Sequence, residues 1–351
     1  MSIRHDAPPA AATRVLRESI TLVDVARVAG VSKITASRAL SNPALVTPET
    51  RQRVHDAVRA TGYVPNLVAG GLKSNRSRLI ACVVPTISSG SAFLSAVQAM
   101  SATLAAAGYQ VMLGEKGYDP AREEALVDAV IARRPDGIVV VGVMQSEAAR
   151  ERLRATGLPV VEAWDMTDAP IDMVVGFSHE AAGEAIASYL HAQGRRRLAL
   201  ITASEPRAVL RARGFQAGAR RLGLVQGTED GLPAYQGGAP SRMRHGREGL
   251  AALLQRHPEI DAVYCASDLI AVGALMEAGL QGIAVPQRMA VVGFGDLDFA
   301  ADTVPALTTL RVDSAVIGRA AAHAILARMD GTGPDEPVRD FGFQMVVRDS
   351  G

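Results

Sequence analysis

The stretch Thr21-Leu-Val-Asp-Val-Ala-Arg-Val-Ala-Gly-Val-Ser-Lys-Ile-Thr-Ala-Ser-Arg-Ala-Leu40 governs the reading of this chain. Leu22, Val25, Ala26 and Ala29 recur at the spacing of one helix face, and Gly30 stops that helix. After a very short turn, Ser32 is placed to cap a second helix whose inward positions are Ala36, Ala39 and Leu40. Asn42 and Pro43 break it. Thr47 then caps a third helix, with Pro48 at its first position and Val54, Ala57 and Val58 inward.

Two short helices joined by a tight glycine-containing turn make a helix-turn-helix, whose second helix enters the major groove of DNA. Lys33, Ile34, Ser37 and Arg38 share the face opposite the inward residues. Arg38 can fork two donors to a guanine edge, Ile34 can meet a thymine methyl, and Lys33 can reach guanine or phosphate. Thr21 opens the first helix, and the hydroxyls of Ser32, Thr35 and Ser37 suit phosphate contacts. Charge points the same way. Residues 1–78 hold twelve Lys and Arg against five Asp and Glu, whereas residues 79–351 hold twenty-five against thirty-one. A basic head on an acidic body suits a polyanionic partner, although charge alone fits a solvated basic tail equally well.

Beyond Ser74 the periodicity changes. Apolar runs at 79–84, 109–113, 137–141 and 160–163 alternate with helical segments, and a similar series (198–202, 262–265, 290–294) follows. Such alternation predicts βαβ units and mostly parallel sheet. So long a series exceeds one comfortable sheet, so two lobes are expected, with ligand at the carboxyl ends of the strands. The division predicted is a leader at 1–19, the head at 20–64, a hinge at 65–77 and the body at 78–351. Within the body, lobe 1 takes about 78–176 with a return segment near 296–312. Lobe 2 takes about 177–295 and the C-terminal segment.

The whole composition narrows the class. With 48% apolar and 21% charged residues the chain is neither disordered nor fibrous. Cys82 and Cys265 are too few for a disulfide framework and read as small core residues. No apolar run approaches the length of a membrane span, and the N-terminus lacks the apolar stretch of a signal peptide, so a cytoplasmic protein without membrane contact is expected. Enzyme signatures fail. Gly176-Phe-Ser-His-Glu180 ends in Glu where a nucleophile elbow needs a small residue. Gly293-Phe-Gly295 lacks the third glycine of a dinucleotide fingerprint, and the seven histidines show no metalloprotease spacing. No catalytic residue, metal or cofactor is expected.

The run from Thr21 to Ser32, with Thr35-Ala-Ser-Arg38-Ala-Leu, Thr50-Arg-Gln-Arg-Val54 and Gly62-Tyr-Val-Pro-Asn66, resembles the head of LacI-type transcriptional regulators. The resemblance continues to about Arg348. Tyr109-Gln-Val-Met-Leu-Gly114, Tyr118-Asp-Pro-Ala-Arg-Glu-Glu124, Arg134-Pro-Asp-Gly137 and Pro159-Val-Val-Glu-Ala-Trp-Asp165 are especially like the gluconate-repressor subgroup. It implies a three-helix head, a hinge helix, and a two-lobed core like periplasmic sugar-binding proteins. It also implies a homodimer on a near-palindromic operator, with Lys33, Ile34 and Arg38 reading bases. The segment 66–73, with Asn66, Ala69 and Leu72, stands where the family has its hinge, and Leu72 is implied to wedge into the minor groove. A segment this short, holding Gly70 and Gly71, cannot keep a helix alone in water and would order only on DNA. An ordinary linker is the plain alternative.

By the same resemblance Arg211 clasps effector oxygens, while Arg213 turns outward. Asp268 either caps a helix or accepts from a sugar hydroxyl. Ser267 stands where relatives carry a longer polar side chain. Asp296 lies at the next strand end, near a crossover between lobes. Gly295 replaces a carboxylate of some relatives, which leaves room for an acidic ligand. Trp164, the single tryptophan, forms either a wall of the cleft or a core residue. Ser89 and its serine neighbours Ser88 and Ser91 follow the first strand and could donate to ligand, though an N-cap role would explain Ser91. Phe177 and His179, at the start of lobe 2, complete the expected contacts. The function these features imply is repression of carbohydrate or sugar-acid catabolism genes, with release of operator DNA by a bound sugar, sugar acid or its phosphate. An activator of the same architecture and a small-molecule carrier without gene control are the alternatives.

Overall fold

A computed structural model describes residues 20–64, 76–87, 92–225 and 231–351. The chain divides into two compact units, residues 1–75 and 76–351.

In the first unit α1 (Leu22–Ala29), α2 (Lys33–Ser41) and α3 (Pro48–Thr61) close around Val25, Ala26, Ala29, Ala36, Ala39, Val54 and Ala57. Most of these are alanines, so the helices meet with little side-chain volume between them. The entry to α1 is fixed by Asp24, which accepts from the Thr21 amide at 3.0 Å and its hydroxyl at 2.8 Å. Gly30 ends α1 with a φ of 63°, a left-handed conformation that costs glycine little. Arg53 of α3 then donates to the Ala29 carbonyl at 2.8 Å and the Gly30 carbonyl at 3.0 Å. A cation on the carbonyl end of α1 both satisfies orphan acceptors and interacts favourably with the helix dipole.

The second unit starts with β1 (Leu79–Val84), α4 (Leu94–Ala106), β2 (Gln110–Glu115), α5 (Pro120–Ile131), β3 (Gly137–Val141), α6 (Glu147–Ala155), β4 (Val160–Ala163) and β5 (Met173–Gly176). It continues through α7 (His179–Ala192), β6 (Leu198–Ala203), α8 (Pro206–Arg221), β7 (Ala234–Gly237), α9 (Met243–Arg256), β8 (Ala262–Cys265), α10 (Asp268–Leu280) and β9 (Ala290–Phe294). The chain ends with β10 (Thr308–Arg311), α11 (Ser314–Met329), β11 (Val338–Asp340) and β12 (Gln344–Val346).

Among the described residues these strands form two six-stranded sheets, in the orders β11-β5-β4-β3-β1-β2 and β12-β10-β9-β8-β6-β7. Every pairing is parallel except β10 with β12. The central strands are buried on both faces, which is why Leu79–Val84, Gly137–Val141 and Ala290–Phe294 read as continuous apolar runs. Cys82 and Cys265 are fully buried in β1 and β8.

The chain passes between lobes three times, after β5, after β10 and after β11. The sequence expectation of a lobe 1 return at 296–312 is therefore corrected. β10 pairs with β9 and β12 of the second sheet, and the return is made by α11, packed on α4 and β4, and by β11 beside β5. The stretch Thr308-Thr-Leu-Arg311 is short and mostly polar, and its parallel register with Val292–Phe294 shows which lobe it serves.

Candidate functional site

On the head, α2 presents Lys33, Ile34, Ser37 and Arg38 as exposed residues of one face, while Ala36 and Ala39 are buried on the other. Ile34 is 65% exposed, a large apolar side chain on a polar helix, which suits contact with a methyl-bearing partner. The hydroxyls are partly committed. Ser32 caps α2, its Oγ accepting from the Thr35 amide at 3.1 Å and lying 2.9 Å from the Thr35 hydroxyl. The Thr21 hydroxyl is held by Asp24. Asn66, Ala69 and Leu72, singled out for the hinge, lie outside the described residues, as do Ser88, Ser89 and Ser91.

In the body, strand ends from both sheets converge on one cleft of about 620 Å3, part of it continuous with solvent. Thr86 follows β1, Tyr118 follows β2 and Trp164 follows β4. From the other lobe Glu205 follows β6, Pro240 and Ser241 follow β7, Ser267 follows β8 and Phe294 ends β9. The carboxyl ends of parallel strands are where open α/β sheets leave a crevice for ligand. A second recess of about 420 Å3 adjoins it, sharing Tyr118 and Arg207, and contains a buried ion pair between Lys116 and Glu123 at 2.7 Å.

Two guanidinium groups dominate the cleft. Arg207 and Arg211 stand four residues apart on α8, so both face the same way. The Arg207 guanidinium lies over the Phe93 ring at 4.9 Å, and that of Arg211 lies over Phe294 at 3.8 Å. Arg211 also donates to the Ala266 carbonyl at 2.7 Å and to His179 Nδ1 at 2.9 Å. The Nη1 of Arg207 is buried without a hydrogen-bond partner among the described residues. A carboxylate and several hydroxyls share the cleft. Glu205 takes the Ser241 amide at 2.6 Å and its hydroxyl at 3.1 Å, and the Tyr118 hydroxyl is held protonated, pushed up to about 12 by burial and then by Glu205.

Trp164 lines the cleft yet is almost wholly buried. It adopts a φ of 80° directly after β4, a conformation unusual for a bulky residue, and its ring meets Phe93 and Phe177 edge-on. Ser267 lines the cleft and caps α10, accepting from the Ile270 amide at 3.4 Å. Arg213 is exposed on the far side of α8.

Four expected contacts are corrected, the first being His179, which is buried outside the cleft lining with its ring nitrogens taken by Asp165 and Arg211. Phe177 is fully buried behind the cleft, enclosed by Trp164, His179 and Phe294, and touches no open space. Asp268 neither caps α10, since Ser267 does, nor faces the cleft. It is fully buried, accepting from the Thr309 hydroxyl at 2.6 Å and the Leu297 amide at 2.8 Å, and burial pushes its carboxyl up to about 6. Asp296 spends its two oxygens on Arg311 at 2.5 Å and Arg348 at 2.7 Å, away from the cleft. For both aspartates, partners well removed in sequence have consumed the group.

Sequence reasoning missed Arg207, Glu205, Ser241 and Phe93. A signal for Arg207 existed. A cation in the first turn of a helix opposes the dipole, so its presence there calls for another reason.

The head and the cleft together define a protein that pairs a nucleic-acid-reading module with a small-molecule sensor. Residues 21–66 match the bacterial regulatory proteins of the lacI family, and residues 187–351 match a periplasmic binding protein-like domain. The HTH-type transcriptional regulator GntR of Pseudomonas aeruginosa is 39% identical over 94% of this chain and 95% of its own. The HTH-type transcriptional repressor CytR of Escherichia coli is 31% identical over 94% and 96%. A crystal structure of a lacI-family regulator from Silicibacter pomeroyi is 33% identical, covers 94% of this chain and 99% of that one, and superposes with a TM-score of 0.86. The chain belongs to the lacI family of bacterial regulatory proteins. It is a DNA-binding transcriptional regulator with an effector-binding body, not an enzyme. Among the described residues no helix is long and apolar enough to cross a membrane.

Proposed function

We propose that this regulator is a cytoplasmic homodimeric repressor that leaves a near-palindromic operator when a sugar acid such as gluconate binds its cleft. The single observation that carries the ligand class is the pair Arg207 and Arg211, two cations in one crevice, each with one buried donor unmatched among the described residues. A planar fork pairs with a carboxylate through two parallel hydrogen bonds, which a neutral sugar cannot reciprocate with charge. Glu205, Ser241, Ser267 and Tyr118 supply acceptors and hydroxyls for the rest of a polyhydroxy chain.

The similarity of Tyr118–Glu124 and Pro159–Asp165 to the gluconate-repressor subgroup supports the same reading. A two-fold protein demands a two-fold site, hence the palindrome, with Lys33, Ile34 and Arg38 on the base edges and Leu72 in the role the resemblance implies. Ligand weakens operator binding only through unequal affinity for the two arrangements of the body, and about 1–3 kcal/mol of coupling yields a 5–150-fold change.

Thermal-shift titration with gluconate, galactose, ribose and a purine nucleoside tests the ligand class. Concentration-dependent stabilisation by gluconate alone, with release of a labelled operator fragment over the same range, is expected. Stabilisation by the nucleoside or the neutral sugars instead would overturn it.

A further inference from the structure

The Arg211 guanidinium is held by a second side chain that itself reaches across the body. Arg211 has only donors, so His179 Nδ1, 2.9 Å from Nη1, must present its lone pair. The ring proton then resides on Nε2, which donates to Asp165 Oδ1 at 2.6 Å. Asp165 is anchored in turn, Oδ2 accepting from the Val143 amide at 3.2 Å. Asp165 follows β4 of the first lobe, whereas His179 and Arg211 belong to α7 and α8 of the second.

The surroundings lock this chain of bonds. The imidazole is enclosed by the rings of Phe177 at 4.3 Å and Phe294 at 6.1 Å. Helices α7 and α8 approach so closely that a Cβ on Gly183 would lie 2.1 Å from the Arg211 carbonyl oxygen.

We propose that His179 is the positioning residue for Arg211, and that Asp165 from the opposite lobe selects the one tautomer in which it can act. The proposal rests on Arg211 gripping the effector and deepens that reading. Burial pushes His179 down to about 4, against the raising effect of Asp165, so the imidazole stays neutral across the physiological range. With the Nδ1 position protonated, an N–H would face a guanidinium N–H, and the fork would turn away from the ligand. Because the bonds bridge the lobes, lobe arrangement and fork orientation are linked.

The tautomer is read directly by 15N NMR of histidine-labelled full-length protein. For His179 the expected signature is an unprotonated Nδ1 and a protonated Nε2. Calorimetric titration with gluconate is then run on Asp165→Asn, His179→Phe and Arg211→Ala, and on each of the first two combined with Arg211→Ala. Asp165→Asn, whose amide can stabilise either tautomer, should mix the two signatures and weaken gluconate about tenfold. That loss should vanish once Arg211 is absent, the mark of a coupled pair. A protonated Nδ1 in the parent protein overturns the proposal even if the variants fail to fold. So does an equal loss with and without Arg211, which would mean general disruption. Failure of the parent protein to bind gluconate would remove the proposed ligand but leave the tautomer measurement decisive here.

Discussion

Gly214 of α8 sits directly against the carbonyl of Glu180 in α7, so close that a Cβ there would lie 1.9 Å from the oxygen. The contact sets the separation of the two helices that carry His179 and Arg211. An alanine in mid-helix is otherwise favoured over glycine by about 1 kcal/mol, so the sign of Gly214→Ala depends on the clash. The atoms it would meet, the carbonyl oxygen, carbonyl carbon and Cα of Glu180, are all backbone and cannot swing aside, so the clash wins. Gly214→Ala should destabilise by roughly 1–3 kcal/mol in urea unfolding and weaken ligand binding as the helices part. A neutral or stabilising outcome would mean that the helices separate freely.

Arg207 provides a sharper test of ligand charge. Arg207→Ala removes one cation and a donor left unmatched in the cleft. Gluconate affinity measured by calorimetry should fall by about 10–100-fold, the scale of a charge-assisted hydrogen bond in a shielded site. Operator affinity without ligand is to be measured on the same preparation, and a parallel loss there would signal misfolding rather than lost recognition.

The head carries an independent expectation. Arg38 is exposed on the groove-facing side of α2. Arg38→Ala should cost about 1–3 kcal/mol of specific binding and relax preference at one base position of each half-site. Binding selection on a randomised operator checks it, and an unchanged preference would remove Arg38 from base reading.

Acid sensitivity should depend on two buried groups of opposite sign. His179 faces Asp165, Arg211 and Arg207, and its folded value, about 4, lies below the ordinary 6.5. The unfolded chain therefore protonates first, and this contribution to stability is lost as pH falls from about 6.5 to about 4. Asp268 faces Thr309, the Leu297 amide, Asp296 and Arg348, and its folded value is raised from 3.8 to about 6. Here the folded protein binds the proton first, so acidification over that window is stabilising. The two slopes oppose each other between about pH 4 and 6. Asp268→Asn removes one of them, and its melting temperature should fall more steeply than the parent's from pH 6.5 to 4.5. Parallel curves for the two proteins would show that Asp268 does not titrate in this window.

Much of this protein is encoded locally. Thr21, Gly30, Ser32, Thr47 and Pro48 punctuate three helices by capping chemistry that involves only near neighbours, and the central strands announce themselves because both of their faces are buried. Arg211 was legible through its motif, and Trp164 through its place after a strand. The strand Met173–Gly176, the edge strands near the C-terminus and helix Ser314–Met329 were not, since the strands are too short to show a period and the helix carries apolar residues on most of its faces.

What the sequence determined alone is therefore the head, the alternation of strands and helices, and the class of regulator those two features compose, because each depends on residues within a few positions of one another. Tertiary structure decided which lobe receives β10 and α11, that Asp268 and Asp296 are spent on Thr309, Arg311 and Arg348, and that Asp165, His179 and Arg211 form one line of bonds. Those bonds join partners 14 to 52 residues apart. Whether a buried polar group is free for a ligand depends on which distant side chain reaches it first.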